Sequence, residues 1–153
     1  MKSLVYKSPV GHLLIRSEDE FIIEVAFADA ESVSGDADDC NLLQKCKVEF
    51  EMYFAGKLKE FTVPLKLIGT DFRKKCWEAL RTIPYGETIS YKELAEKIGN
   101  PKACRAVGGA NHHNPIVVIV PCHRVIGSGG NLTGFGGGID KKRILLELEK
   151  NHK

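Results

Sequence analysis

Apolar and polar residues alternate over 2–8, 11–17 and 21–28, the period of two that marks strands with one buried face. Pro9-Val10-Gly11 and Ser17–Glu20 separate the three runs with turn-forming residues, which predicts a small antiparallel meander. The acidic stretch Asp29–Asp39, with its Gly and Ser, reads as a loop. From Cys40 the period changes: Leu43, Cys46, Phe50 and Tyr53 or Phe54 recur at helical spacing as far as Gly56. A short extended piece, Glu60–Leu67, then leads to Gly69. A domain boundary is expected there, with residues 1–68 forming an N-terminal auxiliary α/β domain and 69–153 a second domain.

The second half reads as helices with start and stop signals. Phe72–Thr82 is a helix ended by Pro84-Tyr85-Gly86. Ser90-Tyr91-Lys92-Glu93 is a capping box opening a helix that stops at Gly99. Asn100-Pro101 is expected to begin the next helix, with Asn as cap and Pro at the first helical position. Two short helices around a tight turn make a helix-turn-helix, and Ala95 and Gly99 suit its close approach. Many such motifs carry a branched apolar residue in the second helix where this chain has Arg105, which argues against groove reading in the usual manner. Val117–Val120 reads as a buried strand, Gly127–Asn131 as a wing-like loop, and Asp140 as the cap of a last helix reaching about Lys150. The fold class is therefore α+β: a small antiparallel sheet with a helix, then a winged helix-turn-helix.

Composition narrows the class of protein. Among 153 residues, 43% are hydrophobic, yet no apolar run approaches the roughly 20 residues that span a bilayer. Met1-Lys2-Ser3-Leu4 lacks the apolar core and cleavage site of a signal peptide, so a cytoplasmic protein without membrane contact is expected. The five cysteines, an odd number without regular spacing, argue for reduced thiols. No CxxC pair exists, and Cys40, Cys46 and His12 would make only a partial metal site, so none is expected. The net charge of +2 hides an asymmetry. Residues 1–69 carry 8 Lys and Arg against 12 Asp and Glu, whereas residues 70–153 carry 14 against 8. A basic half joined to an acidic half suits a polyanion-binding module with an auxiliary domain, although unevenly charged solvated surface would give the same counts.

Pro121-Cys122-His123-Arg124-Val125 is the sharpest chemical feature. The apolar segment ends at Pro121, which presents Cys122 on a turn. An ordinary thiol is only a few per cent thiolate at pH 7, so a nucleophilic Cys122 needs a base or a positive charge. His123, Arg124 and His112–His113 are the candidates. Taken alone, a cysteine after a buried strand is more often a small apolar core residue. Glu149 lies four residues after Leu145, on the face marked by Leu145 and Leu148, while Glu147 points away. A carboxylate on an apolar face needs a partner, and His123 is one; a half-exposed helix-end glutamate is the competing reading.

The chain resembles the O6-alkylguanine-DNA alkyltransferases, or methylated-DNA–protein-cysteine methyltransferases. The resemblance rests on Ile83-Pro84-Tyr85-Gly86, Thr88-Ile89-Ser90-Tyr91, Gly99-Asn100-Pro101-Lys102-Ala103-Cys104-Arg105-Ala106-Val107-Gly108-Gly109-Ala110, Asn114-Pro115, Pro121–Val125 and the Gly134–Gly138 loop. It covers essentially all of residues 69–150. The first domain, which the resemblance makes ribonuclease H-like, matches mainly through Tyr53-Phe54-Ala55-Gly56 and Phe61 with Pro64. Non-repairing relatives lack the cysteine that Cys122 supplies.

The resemblance implies irreversible, single-use transfer of an alkyl group from O6-alkylguanine in duplex DNA to Cys122, with O4-alkylthymine left open as a second substrate. It makes His123 the base, acting through a bound water, Glu149 its orienting carboxylate, Asn114 the holder of the Cys122 turn, and Tyr91 the donor to O6. The target atom lies inside the stack, so the base must be flipped out through the minor groove. Arg105 would enter the stack in its place, while Ala103, Ala106, Gly108 and Gly109 let backbone approach the groove. Small residues in a helix equally suit close helix–helix packing. Ser128 would contact phosphate; Val125, Phe135, Gly136 and Asn111 would line the base pocket. Family members often carry a hydroxyl-bearing residue at the position of Gly136, and some an apolar wall residue at that of Asn111. No cofactor is implied, since Gly136-Gly137-Gly138 lacks the Lys-Ser/Thr of a phosphate loop and the donor is the damaged DNA itself. A monomer is expected. Two other classes fit Cys122: a cysteine hydrolase, which needs an oxyanion hole and turns over, and a non-catalytic winged-helix DNA binder with an inert thiol.

Overall fold

The computed structural model describes residues 1–29, 40–130, 132 and 138–153, and of Ser128 only the backbone. It is an α+β chain of two compact units, Met1–Leu67 with Pro115–Val117, and Ile68–Asn114 with Val118–Lys153. No helix among the described residues is long and apolar enough to cross a membrane.

In the first unit, β1 (Lys2–Ser8), β2 (Gly11–Glu18) and β3 (Phe21–Ala28) form an antiparallel sheet in sequence order. Alternation sends Leu4, Leu13, Ile15, Ile22 and Val25 to the buried face. Asp19 and Glu20 both have positive φ, at 50° and 68°, the backbone of a two-residue hairpin whose twist matches its strands. Helix α1 (Asn41–Phe54) buries Leu43, Cys46, Phe50 and Tyr53, the predicted stripe. Glu49 shares that face because its carboxylate accepts hydrogen bonds from the backbone N–H groups of Thr62 (2.9 Å) and Val63 (3.1 Å) and from the Thr62 hydroxyl (2.6 Å). With those N–H groups spent on Glu49, the predicted extended piece Glu60–Leu67 joins the sheet only by one bridge, Leu65 to Ile22.

In the second unit, Thr70 caps α2 (Asp71–Leu80) by accepting from the Arg73 N–H. The predicted capping box is present: Ser90 and Glu93 exchange side-chain and backbone hydrogen bonds at the start of α3 (Tyr91–Lys97). Gly99 takes φ +77° where α3 ends. Helices α4 (Cys104–His112) and α5 (Ile139–Asn151) follow, and β4 (Ile89–Ser90) pairs in parallel with β5 (Val125–Ile126). The core gathers Trp77, Leu80, Ile83, Leu94, Val107, Val120, Val125 and Leu145. The Trp77 indole N–H donates to the Ala110 carbonyl at 2.8 Å.

Three expectations need correction. Val117–Val120 is not a strand: only isolated bridges form there, and Val118 turns the chain with φ +72°. Asn100 does not cap α4; the Ala103 N–H bonds to the Asn100 carbonyl in a turn, and the helix starts at Cys104 with no side-chain cap. Asp140 does not cap α5 either. Gly138, at φ 100°, occupies that position, and Asp140 lies in the first turn, where its charge meets the positive helix end. Of the expected wing, Ser128–Gly130 is a tight turn in which Gly129 takes φ +74°, and Asn131 falls outside the described residues.

Candidate active site

Cys122 opens a 3-10 turn, Cys122–Arg124, directly after Pro121, and is 3% exposed. Two asparagines hold it, Asn111 in the last turn of α4 and Asn114 just beyond the helix. Asn114 donates to the Val120 carbonyl at 2.7 Å and hydrogen-bonds the Cys122 sulfur, while Asn111 donates to the Cys122 carbonyl at 3.3 Å. Asn114 thus holds the segment that delivers Cys122.

Behind the cysteine lies a buried ionic cluster. His123 Nε2 stands 2.7 Å from Glu149 Oε2. Arg124 clamps the same carboxylate with two donors, Nε to Oε1 at 2.8 Å and Nη2 to Oε2 at 3.0 Å, and its Nη1 donates to the Ile83 carbonyl at 2.7 Å. The Gly86 N–H adds a longer bond to Oε1 at 3.3 Å. The α5 periodicity placed Glu149 correctly: it is fully buried on the face that holds Leu145, while Glu147 is exposed.

Burial alone would raise the Glu149 carboxyl, but its bonds to His123 and Arg124 outweigh that and hold it well below the usual carboxylate range. Burial lowers the His123 imidazole, Glu149 pulls it back up, and the Arg124 and Lys142 charges press it further down. The resting pair is therefore neutral imidazole beside carboxylate. With Nε2–H donating to Glu149, the lone pair belongs to Nδ1, a buried atom without a hydrogen-bond partner among the described residues. Burial pushes the Cys122 thiol up to about 11, against the Asn114 hydrogen bond, the Lys142 charge and nearby backbone amides. Desolvation thus favours the thiol over the thiolate at this position.

Of the other expected residues, Val125 adjoins the turn, its N–H donating to the Cys122 carbonyl. Arg105 is exposed in the first turn of α4, and Ala103, just before it, is half-buried. A Cβ at Gly108 would meet only the Tyr91 ring, at 3.9 Å; one at Gly109 would meet nothing within 4 Å. Tyr91 is half-buried at the first position of α3. Val125 is buried in β5. The Ser128 side chain, Phe135 and Gly136 lie outside the described residues.

Two members of the cluster escaped the sequence reading. The sequence offers Arg124 only as a positive charge and carries no signal for its clamp on Glu149. Lys142, fully buried, donates Nζ to the Val125 carbonyl at 2.6 Å. Its signal was present: Lys142, Leu145 and Glu149 share one face at helical spacing.

Fold and site together define a two-domain α+β protein with a buried cysteine backed by a buried His–Glu–Arg cluster. Residues 71–151 match the DNA binding domain of 6-O-methylguanine DNA methyltransferase, and residues 1–67 match its ribonuclease-like domain. The chain belongs to this family. A Haemophilus influenzae methylated-DNA–protein-cysteine methyltransferase is 49% identical over 150 residues, covering 95% of this chain and 84% of that protein. A Mycobacterium tuberculosis protein of the same name is 65% identical over 103 residues, 67% of this chain and 62% of its own, so that match spans less than two thirds of the relative. The crystal structure of Mycobacterium tuberculosis OGT in complex with DNA superimposes with a TM-score of 0.88 at 49% identity, covering 97% of this chain and 92% of that one.

Proposed function

We propose that this protein repairs DNA by direct reversal, moving the alkyl group from O6 of a damaged guanine to Cys122, once per molecule. The observation that carries the reading is the buried sequence of groups behind Cys122: a thiol, then a neutral imidazole with its Nδ1 lone pair uncommitted, then an ionised carboxylate held by Arg124. His123 takes the thiol proton through a bound water, and Glu149 stabilises the imidazolium that forms. The sulfur then attacks the alkyl carbon in line; the S–C bond forms as the C–O6 bond breaks, and the bonding pair leaves with the guanine. Tyr91 donates to O6 as charge develops there, and the proton taken from sulfur ends on the guanine. The product is a thioether, which nothing among these groups cleaves.

DNA is the partner this reading requires, and the complex of the Mycobacterium tuberculosis relative with DNA supports it. α3 and α4 act as a helix-turn-helix, the loop after β5 as its wing, and Arg105 fills the space left by the flipped base. Ala103, Gly108 and Ser128 contact the duplex, and Val125, Phe135, Gly136 and Asn111 enclose the extruded purine. The N-terminal unit, 1–68, is auxiliary and ribonuclease H-like, whereas 69–153 binds DNA and accepts the alkyl group. The protein acts as a cytoplasmic monomer; cysteines without disulfides fit a reducing compartment.

The test is stoichiometric. Incubated with excess O6-methylguanine duplex, the Cys122 peptide gains one methylene in mass and repair stops at one equivalent. Continued turnover marks a hydrolase, and an unchanged peptide marks a DNA binder with an inert thiol.

A further inference from the structure

Asn111 is 2% exposed, and its two amide atoms have different fates. Nδ2 donates to the main-chain carbonyl of Cys122 at 3.3 Å, whereas Oδ1 is buried with no hydrogen-bond partner among the described residues. The Cys122 carbonyl fixes that orientation, because a flipped amide would set oxygen against oxygen. A desolvated acceptor without a donor is costly, and an apolar residue of the same shape would avoid the cost. Position 111 sits on the buried face of α4 beside Val107 and Ala110. The uncommitted oxygen therefore marks a place where a donor arrives from outside the chain, beside the nucleophile's own main chain.

Resting on the repair reading above, we infer that Asn111 is a specificity-determining residue whose Oδ1 accepts a hydrogen bond from the exocyclic 2-amino group of the extruded O6-alkylguanine. The chemistry of the damaged base selects that group. Alkylation at O6 removes the N1 hydrogen, so N1, N3, N7 and O6 are all acceptors, and the 2-amino group is the base's only N–H donor. O4-alkylthymine, alkylated in the same sense, has no N–H donor at all. An acceptor at position 111 thus favours guanine over thymine and over any purine without the 2-amino group.

The experiment compares single-turnover methyl transfer to Cys122 from single-stranded oligonucleotides containing O6-methylguanine or O6-methylhypoxanthine, which differ only in the 2-amino group. Single strands remove differences in base-pair opening. The wild-type protein is expected to react about tenfold more slowly with the hypoxanthine, the loss of one buried neutral hydrogen bond. In Asn111→Leu, or Asn111→Met should the first variant fold poorly, that ratio is expected to collapse toward one whatever the absolute rates. Equal wild-type rates, or a ratio that survives both substitutions, would overturn the assignment. Transfer from neither base would overturn the repair reading itself, and this assignment with it.

Discussion

Glu149 is held by opposed forces, and the balance can be measured. Taking its charge out of water costs several kcal/mol, which the Arg124 clamp and the His123 bond must offset. Removing the clamp leaves a buried carboxylate with much of its compensation gone. Arg124→Met is therefore expected to lower stability by about 3–5 kcal/mol in urea unfolding; a loss under 1 kcal/mol would mean that solvent reaches Glu149. The same cluster sets a pH dependence. His123 is held below its ordinary value of 6.5, so below that pH the unfolded chain binds a proton that the native chain refuses, and stability falls on acidification. Glu149 is also held below its ordinary value of 4.5, so below that pH the unfolded chain binds a second proton and the decline steepens. Urea midpoints measured from pH 7.5 to 4 should fall from about pH 6.5 downward. His123→Gln, which cannot titrate, should flatten the upper part of that curve. A midpoint that rises between pH 6.5 and 5 would show that burial is not what sets the imidazole.

Local signals carried some elements and failed at others for identifiable reasons. The three strands and α1 were legible because each buries one face, and period two or 3.6 then survives in the sequence. The α3 capping box was legible because it is self-contained, and Ser90→Ala is expected to cost about 1 kcal/mol by denaturant midpoint. Val117–Val120 misled because a β-branched run signals burial as much as strand. Ile116, Val118 and Val120 are indeed buried, but Pro115–Val117 pairs with Val25 and the chain then turns at Val118, which only long-range contacts decide. Asn100-Pro101 carried the letters of a helix start, yet tertiary context spent them on a turn. The site was legible in part: Cys122, His123, Glu149 and Asn114 converge, whereas the Arg124 clamp depends on an approach between distant segments that no local period encodes. Within α4, a Cβ at Gly109 would meet nothing, so Gly109→Ala is expected to stabilise the helix by about 0.5–1 kcal/mol. If backbone at this position approaches a DNA groove, the same substitution should weaken duplex binding in a fluorescence-anisotropy titration. Unchanged affinity would assign Gly109 no part in the interface.

At the level of the whole molecule, exposed charge and buried thiol stand apart. The exposed Arg105 stands in the first turn of α4, while Cys122 and His123 are buried. On the proposed repair reading, a buried thiol meets O6 of a guanine only if the base leaves the stack, so opening the duplex and transferring the alkyl group become separate steps with separate residues. Arg105→Ala removes an exposed side chain and should leave the fold intact. It is expected to slow repair of duplex DNA by tenfold or more, on the order of the few kcal/mol that flipping an intact pair requires. Reaction with the free O6-benzylguanine base, which needs no flipping, should change by less than about twofold on the same grounds. Equal losses on both substrates would place Arg105 in the transfer step and remove it from duplex opening. Salt separates the two steps again. Duplex repair at limiting protein should fall steeply with added salt, because backbone contacts release counterions, whereas transfer from the uncharged free base should not. A salt response shared by both substrates would trace it to the buried cluster rather than to the DNA contact.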